Sequence, residues 1–239
     1  MTQKILAKLM SFAGSNKLGL FKIAIASSFL VIVPQGQVKA ALLTVANNSF
    51  ETPIVTAPSG FISSTGSVGG WTFTGGQQGF ANPVAAHNAG GSWYGPSPTI
   101  PNGNQVAWSN GGTISQTLSG TLQTNTVYTL SAFVGNRLSV NFPGYSIGLY
   151  AGGNLLASNS GVTPADGTFA PVTVSYTSGI SVTPGQALEI RLTTSAGFNA
   201  QANFDNITLD VASIPEPSAI LGLLGFGLLG IASKLRQKQ

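Results

Sequence analysis

Two adjacent aromatic residues are the strongest candidates for ligand chemistry in the sequence. Trp93 and Tyr94 lie in a loop-like stretch between a glycine and a proline. The apolar face of an aromatic ring stacks on the C–H face of a sugar, while polar groups nearby bond the sugar hydroxyls. Arg137 follows a strand-like run, from which it can reach an acidic sugar or a loop carbonyl. We therefore predict that these three residues bind a ligand. Trp71 and Trp108 lie in strand-like sequence, which is typical of core positions.

Residues for hydrolytic catalysis are sparse. His87 is the only histidine, and no serine stands in the G-x-S-x-G context of a nucleophile elbow. The absence of cysteine excludes disulfides, thiol catalysis and thiolate metal sites. Glycoside hydrolysis needs two carboxylates about 5 to 9.5 Å apart, but Glu189 and Asp210 lie in strand-like sequence, and Glu189 is expected to pair with Arg191. We therefore expect a protein that is not an enzyme.

The charge of the chain is concentrated at its ends. The formal net charge is +4, and 7% of the residues are charged, against about a quarter in typical soluble domains. Eight of the ten basic residues lie in the first 40 or the last seven positions. Residues 41–213 hold two arginines and five acidic residues, a net charge of −3. This weakly acidic region is long enough for one domain, and its charge argues against a nucleic-acid partner.

The N-terminal segment has the order of a secretory signal peptide. Lysines precede an apolar run at residues 23–33, and small residues follow it up to Ala40. We predict that a signal peptidase removes residues 1–40 by cutting between Ala40 and Ala41. The apolar run is too short for a retained membrane helix, and either Met1 or Met10 is the start.

The C-terminal segment combines three features. Pro215, Glu216 and Pro217 form a stretch that continues neither a helix nor a strand. The uncharged residues 218–232 follow and span about 22 Å as a helix, against roughly 30 Å of hydrocarbon, so they make a marginal transmembrane helix. Lys234 and Arg236 come next in a basic tail at residues 233–239, which the positive-inside tendency keeps cytoplasmic.

This order of a proline-bounded site, a short span and a basic stop resembles the PEP-CTERM sorting signal of exported bacterial proteins. The resemblance implies an exosortase-type processing enzyme, which removes the tail near residues 215–217. It also implies export, transient anchoring in the inner membrane, and release to the cell surface or the extracellular matrix. An ordinary C-terminal anchor that is never cut is the alternative.

The region between the ends has the pattern of β-strands. Residues 127–134 alternate, with Tyr128 and Leu130 on one face and Thr129 on the other, and Phe133 breaks the alternation. Residues 145–158 predict a hairpin, because Gly152 and its following glycine supply the positive φ of a tight turn. Further short runs with polar turns between them predict an antiparallel β-sandwich at residues 41–213. Residues 53–101 are the least regular, with long ordered loops and two or three short strands expected.

Several short motifs in this region resemble the galactose-binding-like jelly roll. They are residues 47–51, 70–71, 103–105, 114–118, 128–130 and 204–207. That superfamily includes many carbohydrate-binding modules. The resemblance implies a structural calcium ion held by Glu51 and Asp205, which are 154 positions apart in the sequence. A hard divalent cation with oxygen ligands would offset the repulsion between two close carboxylates; two surface acids that cap turns are the alternative.

The sequence therefore predicts an all-β jelly roll flanked by a signal peptide and a single C-terminal transmembrane sorting helix. As its function we predict an exported, non-enzymatic surface or matrix protein associated with exopolysaccharide. A carbohydrate-binding module with a defined glycan ligand is one alternative. A glycan-active hydrolase or lyase is the other.

Overall fold

A computed structural model describes residues 40–88, 91–195 and 199–214. Within these ranges the regular structure is β-sheet, and no helix there is long and apolar enough to cross a membrane. The predicted signal peptide up to residue 39, the residues 215–217 of the sorting signal, the predicted span 218–232 and the basic tail all lie outside the described residues.

The described residues form fifteen strands. In chain order they are β1 (Ala40–Leu43), β2 (Phe61–Ser63), β3 (Gly66–Val68), β4 (Trp71–Thr74), β5 (Gln78–Ala81), β6 (His87–Asn88), β7 (Gly91–Ser92), β8 (Val106–Ser109), β9 (Gly112–Thr121), β10 (Thr126–Asn136), β11 (Tyr145–Ala151), β12 (Asn154–Asn159), β13 (Thr168–Thr177), β14 (Ala187–Thr194) and β15 (Ala202–Ser213). Residues 53–101 contain six of these strands, more than the two or three that the sequence predicts, because several are only two or three residues long.

The strands form two packed sheets with antiparallel pairing. The first sheet has the order β13-β10-β15-β8-β5-β2, with β1 paired along the far end of β15. The second has the order β12-β11-β14-β9-β4-β3, and β6 and β7 form a small separate ribbon. This arrangement confirms the predicted antiparallel β-sandwich of the jelly-roll type.

The space between the sheets is filled by alternate residues of each strand. Along β10, Tyr128, Leu130, Ala132 and Val134 are at most 1% exposed and pack in the main core, as the alternation predicts. Trp71 lies in this main core, as predicted, while Trp108 is buried in a second apolar cluster.

The predicted hairpin is present as β11 and β12. The two strands pair antiparallel from Ile147 opposite Asn159 to Ala151 opposite Asn154. Gly152 and Gly153 connect them with φ angles of 54° and 83°. Two successive positive φ angles are typical of a tight hairpin turn whose twist matches the strands.

The outer face of the first sheet is covered by protein. Residues 91–105, which we call the cover segment, fold back over β8, β15 and β10. Trp93 and Tyr94 pack there against Trp108 in a second apolar cluster, separate from the main core. Beneath the segment, Asn203 and Asp205 point away from the main core and are 0% exposed. The outer face therefore has an interior of its own, in which polar side chains need partners.

The burial pattern of β10 predicts how substitutions divide. Leu130→Ala should lower the free energy of unfolding by about 2 to 5 kcal/mol, because it leaves a cavity in the main core. Thr129→Ala, on the outward side of the same strand, should cost less than about 1 kcal/mol. Urea unfolding followed by circular dichroism measures both. Equal losses would show that β10 does not alternate between core and outer face.

Candidate functional site

An aromatic cleft lies on the outer face of the first sheet, beside the cover segment. It has a volume of about 400 Å³, and three rings line it, those of Tyr94, Phe133 and Phe169. The rings of Tyr94 and Phe169 stack with centroids 4.6 Å apart and planes 13° apart. Pro98 and Pro101 of the cover segment complete its wall. A concave site that combines apolar rings with polar groups is a usual form of a small-molecule pocket.

A glycine lets Tyr94 approach the sheet. Gly135 in β10 pairs with Phe169 in β13, and a β-carbon on Gly135 would lie 2.4 Å from both the Tyr94 hydroxyl oxygen and a ring carbon of Phe169. No real β-carbon sits at that distance, so any other residue would displace one of the two rings. The glycine at position 135 therefore allows both rings to pack closely against the sheet.

A pair of acidic side chains fixes the end of the cover segment. One Glu51 carboxylate oxygen accepts hydrogen bonds from the amides of Asn104 and Gln105, at 2.7 and 2.8 Å. Asp205 accepts one from the amide of Asn102 at 2.9 Å and one from the amide of Asn206 at 2.6 Å. The two acids, far apart in sequence, thus hold the same turn.

The electrostatics of Asp205 follow from its burial. Burial is the main reason that the pKa of the Asp205 carboxyl is raised to about 7; the amides of Asn102 and Asn206 act in the opposite direction, and the Glu51 carboxylate adds to the rise. Asp205 is directly opposite Phe133 across the β10–β15 pairing. Because paired residues share a sheet face, the carboxyl lies next to a ring that lines the cleft.

The oxygen atoms near Glu51 and Asp205 meet some of the requirements of a hard metal ion. The described part of the chain holds no group of three or more His, Cys, Asp or Glu side chains that could bind a metal ion together, so an ion held by Glu51 and Asp205 would need further oxygen ligands from uncharged groups. The Ser49 hydroxyl oxygen, two residues before Glu51, is buried without a hydrogen-bond partner. Calcium at this position stays a prediction.

The predicted ligand-binding residues are buried. Trp93, Tyr94 and Arg137 are 3, 4 and 4% exposed. The Trp93 ring stacks on Phe61 at 5.0 Å and lies 4.1 Å from the Arg137 guanidinium carbon. It therefore offers no free face for a sugar, which corrects the reasoning that placed it in an open loop. Of these three predicted residues, only Tyr94 lines the cleft.

Several other polar residues make local contacts. Glu189 and Arg191 form the predicted ion pair at 2.7 Å. Asp166 accepts a hydrogen bond from the Asn136 side chain. His87 is exposed, and one ring nitrogen lies 2.9 Å from the carbonyl oxygen of Ala85.

Phe133 and Phe169 are cleft residues that the sequence reasoning missed. Phe133 did carry a signal, because it interrupts the alternation of β10 with an apolar residue on the outward face. An outward aromatic residue in an otherwise regular strand indicates that something covers that face. Phe169 carried no comparable signal.

Comparison with known families identifies two regions of the chain. A family model described as HpiC1-like, HpiC1 cyclase, matches residues 41–210. A second model, the PEP-CTERM protein-sorting motif, matches residues 213–237, which confirms the predicted sorting signal. This motif implies export and sorting at a membrane by an exosortase. No curated protein matches the chain.

Two solved structures are similar to the sandwich domain. The Stig cyclase Fisc from Fischerella sp. TAU, in complex with (3Z)-3-(1-methyl-2-pyrrolidinylidene)-3H-indole, is 25% identical, with a TM-score of 0.61 over 74% of this chain and 100% of that chain. The apo form of a cyclase from Fischerella sp. is 26% identical, with a TM-score of 0.61 over 74% of this chain and 98% of that chain.

These findings overturn the prediction of a non-enzymatic protein. That prediction came from searching for the residues of hydrolysis, a histidine with a nucleophile or two spaced carboxylates. Closing a ring within one molecule requires neither set. The absence of hydrolytic residues therefore says nothing about a cyclase activity.

The close contact at Gly135 predicts the effect of a single methyl group. Gly135→Ala should destabilise the protein by about 1 to 3 kcal/mol, because the new β-carbon meets Tyr94 and Phe169 in a packed site. Gly179→Ala is the control, since a β-carbon there meets nothing within 4 Å. Thermal melting measures both, and near-ultraviolet circular dichroism should change in Gly135→Ala alone. Unchanged melting of Gly135→Ala would contradict the described position of Tyr94.

Proposed function

The chain belongs to the HpiC1-like cyclase family, and from that membership we propose that it is an exported cyclase whose substrate binds in the aromatic cleft. The cleft of Tyr94, Phe133 and Phe169 is the structural observation that carries this proposal. Its rings suit a flat, largely apolar and unsaturated molecule. The 3H-indole compound in the complex of the Fischerella relative has this character, and we propose the indole class for this chain.

The rings supply two effects that a ring closure needs. They hold a flexible substrate in a folded conformation, which brings its reacting atoms together and removes the entropic cost of that step from the reaction. Their negative faces also favour positive charge that develops on the substrate, by about 0.5 to 2 kcal/mol per ring. The Tyr94 hydroxyl stays protonated, because burial raises the pKa of Tyr94 well above its usual value, so it acts as a hydrogen-bond donor.

We propose that Glu51 and Asp205 hold a structural calcium ion, with the Ser49 hydroxyl as an additional oxygen ligand. A buried carboxylate, that of Asp205, and a half-buried one, that of Glu51, fit such an ion, and a bound calcium would supply the compensating positive charge. The residues themselves act on the cover segment. Their hydrogen bonds to residues 102, 104 and 105 hold the turn that follows Pro101, and Pro101 forms part of the cleft wall.

We propose the following maturation of the chain. Signal peptidase removes residues 1–40, residues 218–232 cross the inner membrane for a time, and an exosortase cuts near residues 215–217. The mature domain of residues 41–213 then works at the cell surface or in the extracellular matrix, in contact with exopolysaccharide. A cyclase in that location would act on a substrate outside the cytoplasm.

Turnover of indoles with an unsaturated side chain tests the proposed activity. A ring closure without a leaving group conserves mass, so the product is an isomer that liquid chromatography separates and mass spectrometry identifies. Phe133→Ala should lower kcat/KM by about tenfold or more, because it removes one ring wall of the cleft. Tyr150→Ala, on the second sheet, should leave it unchanged.

Loss of turnover in both variants alike would indicate a general fold defect and not a cleft. Binding of the relative's 3H-indole compound, measured by calorimetry, should weaken only in Phe133→Ala. If neither the indoles nor this compound bind to the wild type, the proposed substrate class is wrong.

Chelation tests the calcium proposal. At a calcium concentration of 100 Kd the ion should stabilise the wild type by about 2.7 kcal/mol, which corresponds to a rise in Tm of roughly 5 to 10 °C. Addition of a chelator should remove this rise in the wild type and in Glu189→Gln, whose carboxylate pairs with Arg191. The Tm of Glu51→Gln should be the same with and without the chelator, because this variant lacks one of the two proposed carboxylate ligands. An unchanged Tm of the wild type on addition of the chelator would contradict the calcium proposal.

A further inference from the structure

A set of hydrogen-bond donors without acceptors lies between the cover segment and the first sheet. The buried atoms without a partner include five that donate, namely Trp93 Nε1, the Tyr94 hydroxyl, Arg137 Nε, Gln201 Nε2 and Asn203 Nδ2. All five side chains are at most 4% exposed. Buried polar atoms are nearly always paired in folded proteins. The unpaired acceptors nearby are fewer, the side-chain oxygens of Asn136 and Asn203.

These donors belong to one cluster. Arg137 donates a hydrogen bond from Nη1 to the Gln201 side-chain oxygen, and its guanidinium lies over the Trp93 ring. The Tyr94 hydroxyl lies against Gly135, and Gly135 is the cross-strand neighbour of Asn203. Paired residues share a sheet face, so the Asn203 side chain lies beside the Tyr94 hydroxyl.

The cluster carries a positive charge without a counter-ion. Among the described residues the ion pair is that of Arg191 with Glu189, and none involves Arg137. Burial lowers the pKa of Arg137 to about 10, so the guanidinium is still charged at neutral pH. The acids in this part of the fold have other partners, since Asp205 accepts backbone amides and Asp166 accepts Asn136. A buried cation without an anion is costly.

We propose that this cluster is a binding site for the carboxylate group of the ligand whose rings occupy the cleft. A carboxylate accepts about four hydrogen bonds, and the five side chains offer five donors and one positive charge. Tyr94 joins the two parts of the site, because its ring lines the cleft and its hydroxyl belongs to the cluster. The inference rests on the proposed function of the cleft and narrows its substrate to an aromatic acid.

The first experiment uses small ions, which need no cleft. Acetate and acetamide are compared at equal concentration and ionic strength by thermal melting of the mature domain. Acetate should raise Tm by about 2 to 4 °C more than acetamide does. The difference should vanish in Arg137→Gln and persist in Arg191→Gln. Equal shifts from the two compounds in the wild type, or a difference that survives in Arg137→Gln, would overturn the carboxylate site.

The second experiment separates the carboxylate site from the cleft. Indole-3-propionate should bind the wild type about tenfold more tightly than indole-3-propionamide, since hydrogen bonds to a charged group are the stronger ones. Phe133→Ala should weaken the binding of both. Equal affinities of indole-3-propionate and indole-3-propionamide would be consistent with the cleft but would overturn the carboxylate site. Suppose that acetate stabilises the domain more than acetamide does, but that neither indole compound binds more tightly than acetate. This result would support the carboxylate site and overturn the proposed function of the cleft. If Arg137→Gln does not fold, the two wild-type comparisons decide.

Discussion

The covered outer face of the first sheet is the constraint on which the rest of this molecule depends. In a two-layer sandwich the outer faces usually meet water, and polar residues there need no protein partner. Here Asn203 and Asp205 are on an outer face and are fully buried. The cover segment supplies hydrogen bonds to the acids, from the amide of residue 102 to Asp205 and from the amides of residues 104 and 105 to Glu51. The Asn203 side chain has no such partner. The aromatic cleft is the gap that remains beside this cover.

The cover segment is held by few but specific contacts. The Leu138 amide donates to the carbonyl of Trp93, and the Trp93 amide donates to the carbonyl of Ala86. Trp93 and Tyr94 add apolar area against Trp108. This second cluster is much smaller than the main core.

The sandwich was predictable from local patterns, and the site was not. Alternation in β10 and the paired glycines after β11 are properties of neighbouring residues, so a single sequence reveals them. The approach of Glu51 to Asp205 depends on two distant segments and came only from a resemblance to known jelly rolls. Trp93 and Tyr94 stand in loop-like sequence, and no local pattern indicates that this loop folds back onto a sheet. The outward Phe133 was the one residue from which a covered face could have been inferred.

A crystal structure of the secreted domain with the indole compound of the Fischerella relative tests the central claim most directly. The account predicts the ligand on the outer face of the first sheet, in contact with Tyr94, Phe133 and Phe169, with residues 91–105 as its cover. A ligand bound between the two sheets or on the second sheet would contradict it. So would a domain in which residues 91–105 leave Asn203 and Asp205 open to water.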